Sequence, residues 1–309
     1  MRQVIADVVL DLIVCPRGLG SIPPRVAART LESRQEHAYT ALMTAQTGGA
    51  EPRVRLSLGV VTELELARPA QANALDWQTS IEFGEALARI AKYPEARLLI
   101  LRGAGRHFSS GGDFGFLEEN TTLPETQVSA RMLQFYRAFL GLLELPVPTL
   151  AVVQGSAIGA GLCVALACDL RLGSRNARLG LNFVRIGLHP GMGASVLVPH
   201  AVGETRAAEL LVTGEVLSGE RGAEIGLLTR AVAPEELDTQ ALSWARSIAS
   251  GAPLALRETV ETLRAPLRAR LADALPREAA LQAGDFSSAD LKSALAAFRQ
   301  RRTPSFVGR

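Results

Sequence analysis

Two glycine-rich segments hold the residues best suited to chemistry. One is Ala151–Asp169, a short apolar run, a turn containing Gly155, Gly159 and Gly161, and a second apolar run closed by Cys168 and Asp169. Glycines at such a turn supply φ > 0 or let a ligand come close to the backbone. A helix beginning there leaves unpaired N–H groups and partial positive charge at its N-terminus. That arrangement can hold a phosphate or the oxygen of a polarised thioester carbonyl. The other segment lies upstream: the apolar run Leu98–Leu101, then Arg106–Phe114 with Gly111 and Gly112. A single strand–glycine–helix junction is a common packing device, whereas two can aim two N–H groups at one oxygen.

Several ionisable side chains stand near these segments. His189 precedes Pro190 and Gly191, and a histidine titrating near neutral pH can serve as acid or base; the bland alternative is a loop histidine bonded to backbone. Glu118 and Glu119 follow the upstream junction and are either proton carriers or a solvated acidic helix face. Arg185 can pair with a carboxylate or phosphate, or simply face solvent. Asp169, at the end of the apolar run, is expected to bond backbone groups.

The elements that must position these groups follow from periodicity. Val60–Leu66 alternates as a half-buried strand, and Asp76 can cap a helix running to about Tyr93 with Ile81, Leu87 and Ile90 inward. Leu98–Leu101 and Leu150–Val153 are apolar throughout, as strands covered on both faces by helices are. Between them a helix over Thr126–Leu145 is expected, stopped by Pro146 and Pro148. Short strands are expected at Leu170–Leu172 and Arg178–Leu181. After Pro190 the pattern is helical except at Leu228–Val232. Over residues 1–52, Pro16, Pro23 and Pro24 break the pattern and Gly48–Pro52 reads as a linker, with a helix plausible over Val26–Thr44.

Bulk properties narrow the function classes. A chain of 309 residues with 48% apolar and 21% charged residues is an ordinary globular one. Its formal net charge of +2 gives no drive toward nucleic acid. Cys15, Cys163 and Cys168 form neither a disulfide framework nor a metal-ligand pattern, and the four histidines are scattered, so no metal is expected. The run Val8–Val14 is far shorter than the roughly 20 residues of a membrane span, and no secretory signal is evident. A cytoplasmic location is the expectation.

The motifs together resemble a known family. His107–Asp113 is similar to the F-[SC]-[AS]-G-x-D signature of the crotonase (enoyl-CoA hydratase/isomerase) superfamily, and Val153–Asp169 to its V-x-G-x-A-x-G-G-G…C-D signature. Leu179–Ala194 resembles its F-x-x-x-E-x-x-x-G-x-x-P-G-x-G segment, Arg68–Leu75 its first loop, Leu217–Gly226 a later helix and Ala297–Arg302 its closing helix. The resemblance covers about residues 54 to 309. It implies an α/β fold, the crotonase/ClpP-like spiral of ββα units, with a C-terminal helical oligomerisation region. The expected parts are an extension at 1–52, poorly ordered; a spiral core at 53–200; and a helical trimerisation region at 201–309.

It further implies an enzyme acting on an acyl-CoA thioester, with coenzyme A entering only as part of the substrate and a homotrimer or dimer of trimers as the assembly. The enolate oxygen would be held by the N–H groups of Gly112 and Ala160, and coenzyme A by Arg68, Ala70, Ser110, Gly111, Asp113 and Gly159. Asp113 in this setting is expected to cap the following helix, and Glu118, Glu119 and His189 are the candidate acids and bases. The hydratases' two glutamates fall at Cys163 and Phe183, and the aspartate some relatives carry after the proline falls at Gly191. The relatives that act on carrier-protein-tethered acyl groups have a lysine where Phe114 stands. The reaction could therefore be isomerisation, C–C cleavage or hydration by other groups, and the alternatives are a silent thioester-binding protein or an enzyme for carrier-tethered intermediates. Each lost acid/base role typically costs about 10²–10⁴-fold in rate. A steady-state assay on crotonyl-CoA is therefore expected to find weak or undetectable hydration, and turnover typical of efficient hydratases would refute this reading of Cys163 and Phe183.

Overall fold

The computed structural model describes residues 51–309, so the expected helix over 26–44 and nearly all of the extension lie outside the described residues. Six strands form the main sheet: β1 (Val54–Ser57), β2 (Val61–Leu66), β3 (Leu98–Gly103), β4 (Thr149–Val153), β6 (Leu170–Ser174) and β9 (Arg230–Val232), in that spatial order. Only the β1–β2 pair is antiparallel. A second sheet joins β5 (Ser156–Ile158), β7 (Arg178–Gly180) and β8 (Val216–Ser218). The chain passes from β4 directly into β5 and then a helix, and from β6 directly into β7, which is the ββα repeat. Isolated bridges of Leu75 with Gly112 and of Ser109 with Ala157 extend the second layer back toward the upstream junction.

Ten helices complete the described chain: α1 (Trp77–Ala91), α2 (Phe114–Asn120), α3 (Glu125–Leu140), α4 (Ala160–Leu166), α5 (Ala194–Val202), α6 (Glu204–Thr213), α7 (Gly219–Ile225), α8 (Leu237–Ala249), α9 (Pro253–Ser287) and α10 (Ala289–Arg299). Asp76 caps α1 as expected, accepting from the Thr79 N–H. Ile81, however, is exposed, and Phe83 takes the inward place beside Leu87 and Ile90. Helix α3 ends at Leu140, with a 3-10 turn over Gly141–Glu144 carrying the chain to Pro146. Sequence periodicity gave no warning of β5 and β8, because three residues are too few to show alternation.

Successive residues of β3 face opposite sides of the sheet. Leu99 and Leu101 enter the main core, while Leu98 and Ile100 meet Leu237, Ala241 and Ala245 of α8 across a smaller core. This double cover explains why the strand is apolar throughout. The helical region beyond residue 200 shares the main core: Leu267, Leu271, Leu275 and Phe286 of α9 pack in it with α3 residues such as Phe135 and Phe139.

One ion pair fastens α9 to the spiral. Arg264, 3% exposed, donates to the Asp169 carboxylate through Nε at 2.8 Å and also through Nη2. Its Nη1 reaches the Leu145 carbonyl at 2.6 Å and Nη2 the Val147 carbonyl at 3.0 Å. Asp169 also accepts from the N–H and hydroxyl of Thr149, at 2.7 and 2.9 Å. The expectation that Asp169 bonds backbone groups is thus met only in part, since a distant arginine is its main partner. Removing one member of a buried pair leaves an uncompensated charge, typically costing about 3–5 kcal/mol. Arg264→Met is expected to lose stability of that order in urea denaturation.

Candidate functional site

The two glycine junctions meet backbone to backbone. Gly111 has φ +89°, and a Cβ there would stand 2.6 Å from the Ile158 carbonyl oxygen and 3.5 Å from the Ala160 nitrogen. Only glycine permits both the conformation and the approach. Ser109 fixes the upstream loop: its hydroxyl donates to the Asn73 carbonyl at 2.8 Å and accepts the Gly111 N–H at 3.2 Å. Leu75 and the loop exchange bonds at Gly111 and Asp113, since the Leu75 N–H donates to the Gly111 carbonyl and the Asp113 N–H to the Leu75 carbonyl, each 2.8 Å. The Gly112 N–H is skipped by this pattern. Ala160 opens α4, so its N–H has no intrahelical partner. Among the described residues no acceptor takes either N–H.

Both residues line one cavity of about 210 Å³, whose wall is otherwise mostly apolar, with Phe116, Leu117, Phe135, Phe183, Leu295 and Phe298 among its residues. Two backbone donors on a dry wall can stabilise an oxyanion without reorganising at the moment of reaction.

The other expected site residues divide. Ser110, Gly111, Asp113 and Gly159 line the cavity. Asp113 caps α2, accepting from the Gly115 and Phe116 N–H groups, and pairs with Arg68 at 3.1 Å. Arg68 itself is turned inward, bonded to the Ala74 carbonyl at 2.7 Å and paired with Asp76 and Asp113. Burial lowers the pKa of this guanidinium, with Asp113 opposing the shift. Ala70 lies exposed on a 3-10 turn. Neither Arg68 nor Ala70 lines the cavity, and Glu118, Glu119 and His189 also lie off its wall. Glu118 pairs with Arg299 of α10, and Glu119 with Arg131 of α3 at 2.9 Å. The His189 backbone N–H donates to Asp285, while its Nδ1 is buried with no partner among the described residues. Arg185 donates to the Thr213 carbonyl at 2.6 Å.

The two positions where the sequence resemblance would place glutamates hold side chains without a carboxylate. Phe183 presents a ring to the cavity. Cys163 is fully buried, 3.8 Å from the Gly191 carbonyl, and burial pushes its thiol well above the ordinary range, with Glu278 adding to the shift. Cys168 is likewise free and pushed up to about 12, chiefly by burial.

What the sequence reading missed is a polar face on α9. Glu278, Gln282 and Asp285 follow one another at helical spacing and all grip the segment from His189 to Ser195. The Glu278 carboxylate accepts from the N–H groups of Gly193 and Ser195 at 2.7 and 2.9 Å, and burial raises its pKa. Gln282 Nε2 donates to the His189 carbonyl at 2.6 Å, which leaves Oε1 to accept the Tyr136 hydroxyl, also at 2.6 Å. Tyr136 lines the cavity, and burial holds its phenol well above its usual pKa, so it is neutral at ordinary pH. The signal was available in principle, because Arg264, Glu278 and Gln282 interrupt an otherwise apolar stripe of α9.

The Tyr136 hydroxyl occupies the space a side chain at residue 191 would need. A Cβ on Gly191 would overlap that oxygen and lie 2.7 Å from Gln282 Nε2. Forced overpacking of this kind typically costs about 1–3 kcal/mol. Gly191→Ala is therefore expected to lower the melting temperature, and Tyr136→Phe in the same background to recover part of the loss. Additive effects of the two substitutions would show that residue 191 and the hydroxyl do not compete for space.

Known proteins share this architecture. A family model described as enoyl-CoA hydratase/isomerase matches residues 58–309. The human mitochondrial enoyl-CoA hydratase domain-containing protein 2 (Homo sapiens) is 33% identical over 270 residues, covering 85% of this chain and 91% of that protein. The (E)-benzylidenesuccinyl-CoA hydratase of Thauera aromatica is 32% identical over 255 residues, covering 80% and 96% respectively. A crystal structure of an enoyl-CoA hydratase from Mycobacterium avium subsp. paratuberculosis superposes with a TM-score of 0.74 at 32% identity, covering 82% of this chain and 98% of that one. With the crotonase spiral, the paired glycine junctions and these matches in hand, the chain belongs to the enoyl-CoA hydratase/isomerase family.

Proposed function

We propose that this protein acts on an acyl-CoA thioester by stabilising an enolate oxygen between the N–H groups of Gly112 and Ala160. The observation that carries the reading is that both N–H groups lack an acceptor among the described residues and border the same apolar cavity. In such a site the thioester carbonyl accepts both bonds as its oxygen gains charge, and the acyl chain lies against Phe116, Phe135 and Phe298. Asp113 positions the upstream loop by capping α2 and takes no part in proton transfer. Glu118 and Glu119, each already paired to an arginine, join α2 to α10 and α3.

Coenzyme A enters as part of the substrate, with no other cofactor and no metal; Ser110, Gly111 and Gly159, which line the cavity, are its proposed contacts. A homotrimer or dimer of trimers is the assembly carried over from the family, and light scattering tests it. A cytoplasmic location remains a proposal, tested by cell fractionation; among the described residues no helix is long and apolar enough to cross a membrane. One observation favours a second reading, a thioester-binding protein without turnover: Cys163 is buried and Phe183 apolar, so neither position moves a proton.

Losing one oxyanion donor typically costs about 3–4 kcal/mol of barrier. Ala160→Pro removes the donor and is expected to abolish thioester chemistry, while Ala160→Gly retains it and stays near wild type. The readout is turnover over a panel of acyl-CoAs, beside calorimetric binding. A folded proline variant with full activity would sink the oxyanion assignment, and binding without turnover on every acyl-CoA would favour the second reading.

A further inference from the structure

Three polar side chains on the cavity wall are buried: Tyr136, Asn182 and Gln282. Tyr136 and Gln282 satisfy each other, and Gln282 has the His189 carbonyl besides. Asn182, 5% exposed, has no partner for its carboxamide among the described residues. It does not perform the task its position suggests. Asn182 is the N-cap of the 3-10 turn Phe183–Ile186, where asparagine usually accepts a backbone N–H, yet its side chain makes no capping bond. Its carboxamide lines the cavity and is open to whatever occupies it, so its hydrogen bonds are left for water or a ligand.

The location says what could. Asn182 Oδ1 lies 3.4 Å from the point where a Cβ on Gly159 would stand, and Gly159 directly precedes Ala160. The same turn is tied to β7 by the Gly159 N–H, which donates to the Gly180 carbonyl at 2.8 Å. The free carboxamide therefore stands beside the N–H proposed to hold the thioester oxygen, and it is more deeply buried than the other unpartnered carboxamide on the lining, that of Gln71. An amide both donates and accepts, so it suits a hydroxyl or a carbonyl oxygen a few bonds from C1 of the acyl group.

We propose that Asn182 is a specificity-determining residue that hydrogen-bonds an oxygen on C3 of the acyl chain. This rests on the acyl-thioester reading above. A hydroxyl and a keto oxygen share the required chemistry. A saturated chain instead leaves the amide unpaired, and a site built to bond a polar group rejects the analogue lacking it.

The test is calorimetric binding of butyryl-CoA, 3-hydroxybutyryl-CoA and acetoacetyl-CoA to the full chain and to Asn182→Leu. The wild type is expected to bind at least one oxygenated ligand about 10-fold more tightly than butyryl-CoA, a difference of about 1.4 kcal/mol. Which of the two it prefers tells hydroxyl from keto recognition. In Asn182→Leu the preference should shrink to about twofold or less, with butyryl-CoA affinity within about threefold of wild type and the melting temperature unchanged or raised. A merely structural asparagine would lower the melting temperature on substitution and leave the ligand preference intact, which would overturn the proposal. Equal affinity of the wild type for all three ligands would overturn it even if the variant does not fold. Failure of butyryl-CoA and both oxygenated ligands to bind would remove the thioester reading, and this inference with it.

Discussion

The site depends on two backbone segments approaching closer than any pair of side chains could. Gly111 stands against the Ile158 carbonyl with no room for a Cβ, and this contact brings the loop after β3 to the start of α4. Everything chemical about the cavity follows from that approach. Gly112 is the next residue along one segment, and Ala160 lies two residues beyond Ile158 on the other. Their N–H groups are free for opposite reasons: one lies between the rungs of a bridge, the other in the first turn of a helix. Neither needs a side chain, so the donor pair is fixed by the fold and not by residue chemistry.

Holding that approach in place falls to the C-terminal helices. Arg264 ties α9 to Asp169 and to the carbonyls leading into β4, so the strand and helix flanking the glycine turn share one anchor. Farther along the same helix, Glu278, Gln282 and Asp285 hold the segment from His189 to Ser195 against the cavity. Leu295 and Phe298 of α10 then close the wall. A helix expected to serve oligomerisation is also a structural part of the site of its own chain.

The cavity differs in character from one that carries two carboxylates. Phenylalanine, leucine and methionine side chains make up most of its wall, and the buried polar side chains on it are neutral: the Tyr136 phenol and the Asn182 and Gln282 carboxamides. A low-dielectric pocket of this kind strengthens the hydrogen bonds it makes and penalises any it leaves unmade. Asp113, a charged side chain on the lining, is spent on a helix cap and on Arg68, and the glutamates of α2 are spent on arginines. The paired glycine junctions leave two backbone N–H groups facing the cavity without an acceptor among the described residues, on a lining that is otherwise mostly apolar.

Local residue choices in the sequence determined the strands covered on both faces, the Asp76 and Asp113 caps, the glycine junctions and the absence of carboxylates at residues 163 and 183. Each of these is set by a residue and its near neighbours: apolar runs bury, aspartate caps, and only glycine admits a positive φ with a close contact. Tertiary structure decided what depends on residues far apart in the chain. Arg68 looked available for a phosphate but turns inward to Asp76 and Asp113. Glu118 and His189 looked like acids or bases until Arg299 and the α9 clamp fixed their places, off the cavity wall. Tyr136 and Gln282 are 146 residues apart and meet only because α3 and α9 pack together. A side chain's type is written locally, but its protonation and its partner depend on which desolvated neighbours the folded chain brings to it, and those distances have no trace in sequence order.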